Sequence, residues 1–239
     1  MTHRHNNDSA HKTFHERLAA AQFHLRKNLA KLPYMPVLVR LKVPLDEEID
    51  FWWSYIVPYF DPARGFFDYW GHDAGELRFL WNILRPGMVF FDVGAHHGVY
   101  SIVASKRLGA SGQVVAFEPS PREYARLRLH FRWNRMRAAR AERLAIGSAS
   151  GDRTFFQVDS GDTTRGSLRP PDTRDELSEV VVNTTSLDHY IAAFPLNRVD
   201  VVKIDVEGGE LEALKGASAL MGKLRPIFIC EVLDGATRP

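Results

Sequence analysis

The chain has 239 residues, enough for one domain of ordinary size or one domain with an appendage. Hydrophobic residues make up 45%, aromatics 11% and charged residues 25%, with 17 Gly and 13 Pro, which excludes collagen-like, low-complexity and wholly disordered chains. Lys+Arg at 31 nearly balance Asp+Glu at 29, so a net charge of +2 gives no whole-protein electrostatic case for nucleic acid, and any basic patch is local.

Residues Met1 to Lys12 are polar and His-rich, without the cationic start and apolar run of a secretory signal. No window approaches the roughly 18 uninterrupted apolar residues of a membrane span. The single cysteine, Cys230, excludes an intramolecular disulfide and a multi-cysteine zinc site and fits a reducing compartment. Together these features predict a soluble, cytoplasmic protein.

Residues 1–42 carry Arg4, Lys12, Arg17, Arg26, Lys27, Lys31, Arg40 and Lys42 against Asp8 and Glu16, a net +6 that leaves the rest of the chain acidic. Phe14, Leu18, Ala21, Leu25, Leu29 and Leu32 recur at three- and four-residue steps, which predicts one amphipathic helix docked on the body or on a second subunit. The five histidines before Lys27 lack partner carboxylates or cysteines at ligand spacing, and no metal site is expected. Residues 43–75 are rich in aromatics and prolines without clear periodicity and predict an irregular cover. The expected division is a basic helix and aromatic cover over 1–75, followed by a domain over 76–239.

From Gly75 the pattern becomes regular. A helical stretch over 76–84 and a Pro86-Gly87 turn lead into short apolar runs alternating with helical segments. The expected strands are 88–93, 113–118, 141–146, 199–205 and 226–232, and the helices 100–108, 121–133, 187–194 and 209–221. This βαβ rhythm predicts an α/β, Rossmann-like doubly wound parallel sheet. Two antiparallel additions are expected at 154–158 and 179–184, joined by an irregular connection over 159–178 that is long enough to be functional.

Three apolar runs end in an acid: Val89-Phe90-Phe91-Asp92, Val114-Val115-Ala116-Phe117-Glu118 and Val201-Val202-Lys203-Ile204-Asp205. In a parallel sheet these ends share one edge, where ligands bind, so the acids converge on one cleft. The first acid opens the turn Asp92-Val93-Gly94-Ala95-His96-His97-Gly98, in which Gly94 permits a sharp exit and Gly98 a close approach at the next helix start. Glu118 ends the following strand, where an acid can take both hydroxyls of a ribose. A dinucleotide site would carry glycine where His96 stands, and Asp92 would oppose a pyrophosphate. The acid instead suits S-adenosylmethionine, whose amino group and sulfonium are cationic.

At these residues the sequence resembles the FkbM-type methyltransferases of the class I S-adenosylmethionine-dependent superfamily. The resemblance rests on the Val89 to Gly98 block, on Val115-Ala116-Phe117-Glu118-Pro119-Ser120-Pro121, on Ala145-Ile146-Gly147-Ser148 and on Thr185-Ser186-Leu187-Asp188. Its most distinctive block is Val202-Lys203-Ile204-Asp205-Val206-Glu207-Gly208-Gly209-Glu210, followed by Leu214-Lys215-Gly216-Ala217. The resemblance implies a twisted seven-stranded sheet and methyl transfer, usually to oxygen. It also implies cofactor contacts by Asp92, the Gly94 to Gly98 turn with Ala95 and His96, Glu118 and Pro119.

Asp205 and Glu207 are the residues chosen to hold or deprotonate an acceptor hydroxyl, with Lys203 a structural partner and Glu210 a helix-start acid. His96 and His97 offer imidazoles able to act near neutral pH, although packing against the cofactor or cover segment is the simpler reading. Tyr100 and Glu76 have core or capping roles as their default. Segments 51–70 and 159–178 are the expected acceptor pocket and lid. Residues 122–143 hold eight arginines against Glu123 and Glu142, and a solvated helix face is favoured over a nucleic-acid surface.

The expected function is O-methylation of a hydroxyl on a small molecule or glycan. The alternatives are methylation of RNA or another anionic substrate, a dinucleotide oxidoreductase, and a non-catalytic nucleoside-binding module. Pro239 lies eight residues beyond Glu231, so the last helix and two strands implied by the resemblance are not in the sequence given. Either the sequence given is truncated, or the edge strand at 226–232 is expected to be covered by the N-terminal segment or by a second subunit in a homodimer.

Overall fold

The computed structural model describes residues 37–44, 50–57, 74–159, 165–171, 173, 174 and 176–231. The helix expected within residues 1–42 lies outside them, as does most of the aromatic segment. The first described element corrects the expectation of an irregular cover. Strands β1 (Val37–Pro44) and β2 (Asp50–Val57) pair antiparallel in register from Val37 opposite Val57 to Pro44 opposite Asp50. Their β-branched and aromatic residues suit an extended, pleated backbone, and the aromatic clustering hides the period of two.

The body follows the expected rhythm: α1 (Ala74–Ile83), β3 (Val89–Val93), α2 (Val99–Leu108), β4 (Gln113–Phe117), α3 (Pro121–Trp133) and β5 (Ala139–Glu142). After these come β6 (Ala145–Ile146), β7 (Gly151–Val158), β8 (Leu177–Thr185), α4 (Leu187–Ala193) and β9 (Val201–Ile204). Helices α5 (Glu210–Lys215) and α6 (Ser218–Lys223) and strand β10 (Ile227–Cys230) complete the described chain. No helix among the described residues is long and apolar enough to cross a membrane.

Five strands form a parallel sheet in the order β10-β9-β3-β4-β5. The chain winds outward from β3 through β4 to β5, then crosses back to β9 and β10, so the order reverses between β3 and β9. A crevice opens at such a reversal, outside the carboxyl ends of the strands. The expected strand at 141–146 is divided. Residues 139–142 close one edge of the sheet, and after Leu144 the chain enters a second sheet, where β6 runs parallel to β8 and β7 antiparallel to it. The helix expected at 209–221 is also divided. At Gly216 the backbone lies so close to the Gly147 carbonyl that a Cβ would fall 2.1 Å from it, and Gly216 O accepts the Asp188 N–H.

Alternate residues of the sheet feed two apolar layers. Phe91, Val93, Phe117, Val202 and Ile204 pack with Leu187 and Tyr190 of α4, Ala213 of α5 and Leu220 of α6. On the other face Phe90, Val114 and Val201 meet Leu80 of α1 and Ala104 and Leu108 of α2, while Ala116 meets Leu127 and Phe131 of α3. Two helices owe their starts to serines. Ser120 accepts from the Glu123 N–H ahead of α3, and Ser186 accepts from the His189 N–H ahead of α4. Strand β10 is an edge strand among the described residues, and Ile227 on it is 48% exposed.

Phe117 is fully buried, with edge-to-face contacts to Phe91 at 5.5 Å and Tyr190 at 4.9 Å. Phe117→Ala is expected to lower unfolding free energy by about 3–5 kcal/mol in urea denaturation. A loss below about 1 kcal/mol would contradict the close packing of this face.

Candidate active site

The crevice at the reversal is lined by Gly94 and His96 from the β3–α2 turn, Glu118, Pro119 and Ser120 after β4, and Leu144 to Ile146 beyond β5. Asp205 and Glu207 after β9 and Gly166 and Leu168 from the connection after β7 close it. Six expected site residues, Gly94, His96, Glu118, Pro119, Asp205 and Glu207, therefore share one cleft. The other three stand behind its wall. Asp92 has no exposed surface, Ala95 is buried in the α1–α2–α3 layer, and Gly98 caps α2.

The turn is tied to its surroundings through the backbone. Gly94 has a left-handed φ of +79°, and a Cβ there would fall 1.7 Å from the Asp205 carbonyl oxygen, so only glycine lets β3 and β9 diverge at this spacing. Gly98 at φ +82° leaves room for Leu127 of α3, 2.5 Å from where its Cβ would be. The close approach expected at Gly98 is thus that of a neighbouring helix. Gly94 and Ala95 both donate to the Phe117 carbonyl, which ties the turn to β4.

Glu118 is held by two backbone donors. Its Oε2 accepts the His96 N–H at 2.8 Å and its Oε1 accepts the Ser120 N–H at 2.9 Å. Each oxygen keeps a further lone pair, so the carboxylate can still accept from two hydroxyls. Burial raises its pKa to about 7 despite these two bonds.

Behind the turn lies a buried charge network. Asp92 stands beside Lys203 in the β3–β9 register and accepts from Ser101 Oγ at 2.6 Å. Lys203, 3% exposed, donates through Nζ to Asp205 Oδ2 at 2.8 Å and lies 4.4 Å from the centre of the Tyr100 ring. Tyr100 in turn donates to Glu76 at 2.6 Å. Burial pushes the Lys203 ammonium down, but Asp205 and Asp92 outweigh it and hold the group above its ordinary value. Burial pushes Asp205 up, and Lys203 with the Glu231 hydrogen bond outweighs that and keeps it ionised. Asp92 is raised by burial, with Lys203 opposing.

Glu231, just past β10, is the site residue that sequence reasoning passed over. It hydrogen-bonds to Asp205, and carboxyl oxygens of Asp205, Glu207 and Glu231 lie within 4.8 Å of one another. The hydrogen bond with Asp205, then burial and the nearby negative charges, raise Glu231 to about 8, so it holds the proton that the pair shares at neutral pH. The signal was present: the run over 226–232 also carries an acid at its end, as the three assigned runs do. Glu207 has a left-handed φ of 54°, and its carbonyl accepts Ser167 Oγ at 2.8 Å, which fastens the connection after β7 to the cleft.

His96 and His97 stack at 3.7 Å, and His97 Nε2 lies 2.7 Å from Glu123 Oε2. These two rings and Glu123 are close enough to share a cation, but Glu123 already meets Arg122 at 2.6 Å and Arg126 at 3.2 Å, which opposes one. Burial and the neighbouring His97 lower the His96 pKa to about 3, so His96 is neutral and too weak a base for the role the sequence left open. The described part of the aromatic segment, Phe51 to Val57, belongs to β2, and the rest of that expected pocket lies outside the described residues.

The shared proton has a measurable consequence. A carboxyl whose folded value near 8 exceeds its unfolded 4.5 stabilises the fold below pH 4.5, and that contribution is lost as the pH rises through 8. Glu231→Gln keeps a donor to Asp205 and cannot ionise. The variant is therefore expected to gain stability relative to the wild type between pH 5 and 8, by about 1 kcal/mol or less for so exposed a group. Thermal denaturation across that range checks it, and a pH-independent difference would refute the shared proton.

The methyltransferase FkbM domain matches residues 92–238. The chain is 30% identical over 158 residues to the hexuronic acid methyltransferase AglP of Haloferax volcanii, covering 64% of this chain and 59% of that one. It is 28% identical over 159 residues to the 2-O-methyltransferase NoeI of Sinorhizobium fredii, covering 60% and 63%. It therefore spans less than two thirds of the length of either relative. With the 31-O-demethyl-FK506 methyltransferase FkbM of Streptomyces tacrolimicus it shares 30% identity over 210 residues, 69% of this chain and 78% of that one. The chain belongs to the methyltransferase FkbM domain family.

Proposed function

We propose that the protein is an S-adenosylmethionine-dependent O-methyltransferase acting on a hydroxyl of a glycan or small molecule. The observation that carries this reading is the pairing, in one cleft, of a ribose-competent carboxylate at Glu118 with the carboxylates of Asp205 and Glu207, which Glu231 adjoins. Family membership supports it, as do relatives named for methylation of a hexuronic acid and of a 2-hydroxyl.

When bound, the cofactor supplies an electrophilic methyl group on sulfur. Glu118 accepts the ribose hydroxyls on the lone pairs left free by His96 and Ser120. Neutral His96 lines the same cleft and adds no positive charge to repel a cationic ligand. Asp205 and Glu207 accept the hydroxyl hydrogen of the acceptor and aim its oxygen along the methyl–sulfur axis. Lys203 keeps Asp205 ionised and so makes it a weak base. Its contribution is orientation: a hydroxyl oxygen that gains a methyl group becomes strongly acidic, so even these weakly basic carboxylates would take its proton along the hydrogen bond already made.

Asp205→Asn is expected to lower methyl transfer by about 10²-fold, the loss that follows when a reacting oxygen is misplaced by about an ångström. Cofactor affinity should stay near that of the wild type. Product mass spectrometry with a panel of uronic acid, hexose and macrolide acceptors reads the gain of one methyl group. Loss of cofactor binding together with turnover would move Asp205 into the cofactor site, and no methylated product from any acceptor would count against O-methylation.

A further inference from the structure

Glu207 offers its carboxylate from a backbone conformation that disfavours a side chain. Its φ of 54° lies in the left-handed region, where a β-carbon is crowded, and Gly208 after it is left-handed too at φ 93°. A non-glycine residue stays there only where its surroundings over-determine it. Two side chains hold this turn. Glu210 Oε1, at the start of α5, accepts the Val206 and Gly208 N–H groups at 3.1 Å each. Ser167, 40 residues earlier in the chain, donates through Oγ to the Glu207 carbonyl at 2.8 Å, with the Val206 carbonyl 3.5 Å away.

Ser167 is itself fixed. It is 2% exposed, and it exchanges backbone hydrogen bonds with Phe156 of β7, its N–H donating at 3.0 Å and its carbonyl accepting at 2.8 Å. The Arg169 N–H donates to its Oγ at 3.2 Å, which leaves the hydroxyl proton for the Glu207 turn. On one side of it Gly166 lies against the Phe155 ring, where a Cβ would fall 2.9 Å from Cζ. On the other, Leu168 packs on the cluster of Ala145, Phe155 and Val182. Gly166 and Leu168 both line the cleft, so the hydroxyl that reaches Glu207 comes from the cleft wall.

The anchoring of this segment and the bond to Glu207 are separable. The backbone pair with Phe156 ties the segment to β7 and does not need the hydroxyl, whose own donated bond goes to the turn after β9.

We propose that Ser167 is a positioning residue for methyl transfer, one that aims the Glu207 carboxylate at the acceptor by holding the Glu207 backbone in its left-handed form. The inference rests on the reading of Glu207 as an acceptor-holding group. Without the hydroxyl the left-handed form loses one of the bonds that favour it, and a return of φ to negative values swings the carboxylate out of its group with Asp205 and Glu231. Asp205 is held by Lys203, and Glu118 by its two backbone donors, so neither depends on Ser167.

The test uses the full chain labelled with ¹³C-glutamate, with the Glu207 signals assigned by their loss in Glu207→Ala. In Ser167→Ala the Glu207 Cα and Cβ shifts are expected to leave their left-handed values, while Ser167→Thr, which keeps the hydroxyl, retains them. Melting temperatures check folding. Methyl transfer to the panel of uronic acid, hexose and macrolide acceptors is expected to fall about tenfold in kcat/KM for the acceptor in Ser167→Ala, the scale of one neutral hydrogen bond, with S-adenosylmethionine affinity unchanged. In a Glu207→Ala background the same substitution should cost nothing further. Glu207 shifts unmoved in a folded Ser167→Ala chain, or a loss as large without the Glu207 side chain as with it, would overturn the proposal. The shifts are read on the free chain. Shifts that respond to Ser167→Ala in a chain that methylates none of the panel would uphold the hold of Ser167 on Glu207 and count against the methyltransferase reading instead.

Discussion

A buried ammonium organises the centre of this protein. Lys203 sits on β9 with Asp92 of β3 beside it and Asp205 two residues ahead of it, at the point where the order of the sheet reverses. Taking an ammonium out of water costs several kcal/mol, and only close opposite charges offset that cost. Asp205 supplies a hydrogen bond and Asp92 a second negative charge, while the Tyr100 ring covers the remaining side. Removing the lysine would leave Asp92 buried and Asp205 at the cleft wall without their shared counter-ion. The ends of β3 and β9 are therefore fixed relative to each other by charge as well as by the ladder between them.

That constraint reaches both halves of the cleft. The β3–α2 turn begins at Asp92, and its Gly94 packs against the Asp205 carbonyl, so the backbone of the turn and the end of β9 are held in one arrangement. The same turn sends the His96 N–H to Glu118 and the Gly94 and Ala95 N–H groups to β4. Three strand ends are thereby coupled through hydrogen bonds. Glu231 joins from a fourth by sharing a proton with Asp205.

Much of this was legible in the residues. Apolar runs broken at regular intervals gave the parallel sheet, and acids ending three of them located the crevice, because strand C-termini in such a sheet share one edge. Pairing within the network was not legible. Asp92 and Asp205 end similar runs, yet one is sealed behind the turn and the other lines the cleft. The difference arises from Ser101 and Lys203, which approach from α2 and β9. The hairpin at β1 and β2 was hidden by aromatic clustering. The ion pairs of Arg122 and Arg126 with Glu123 and of Arg140 with Glu142 were hidden as well, since a carboxylate close in sequence neutralises only the arginines whose faces it shares. Local pattern records periodicity and strand ends, and long-range partners need the fold.

The cofactor assignment is the claim on which the rest of the functional account stands, and titration of the folded chain with S-adenosylmethionine at pH 6 and pH 8 tests it most directly. Glu118 takes up a proton near pH 7, and its protonated form has one acceptor fewer for ribose hydroxyls. The expected result is one equivalent bound at both pH values, more tightly at pH 8, with the pH dependence lost in Glu118→Gln. A folded chain that binds no S-adenosylmethionine at either pH, or that binds a nicotinamide dinucleotide in its place, would contradict the assignment.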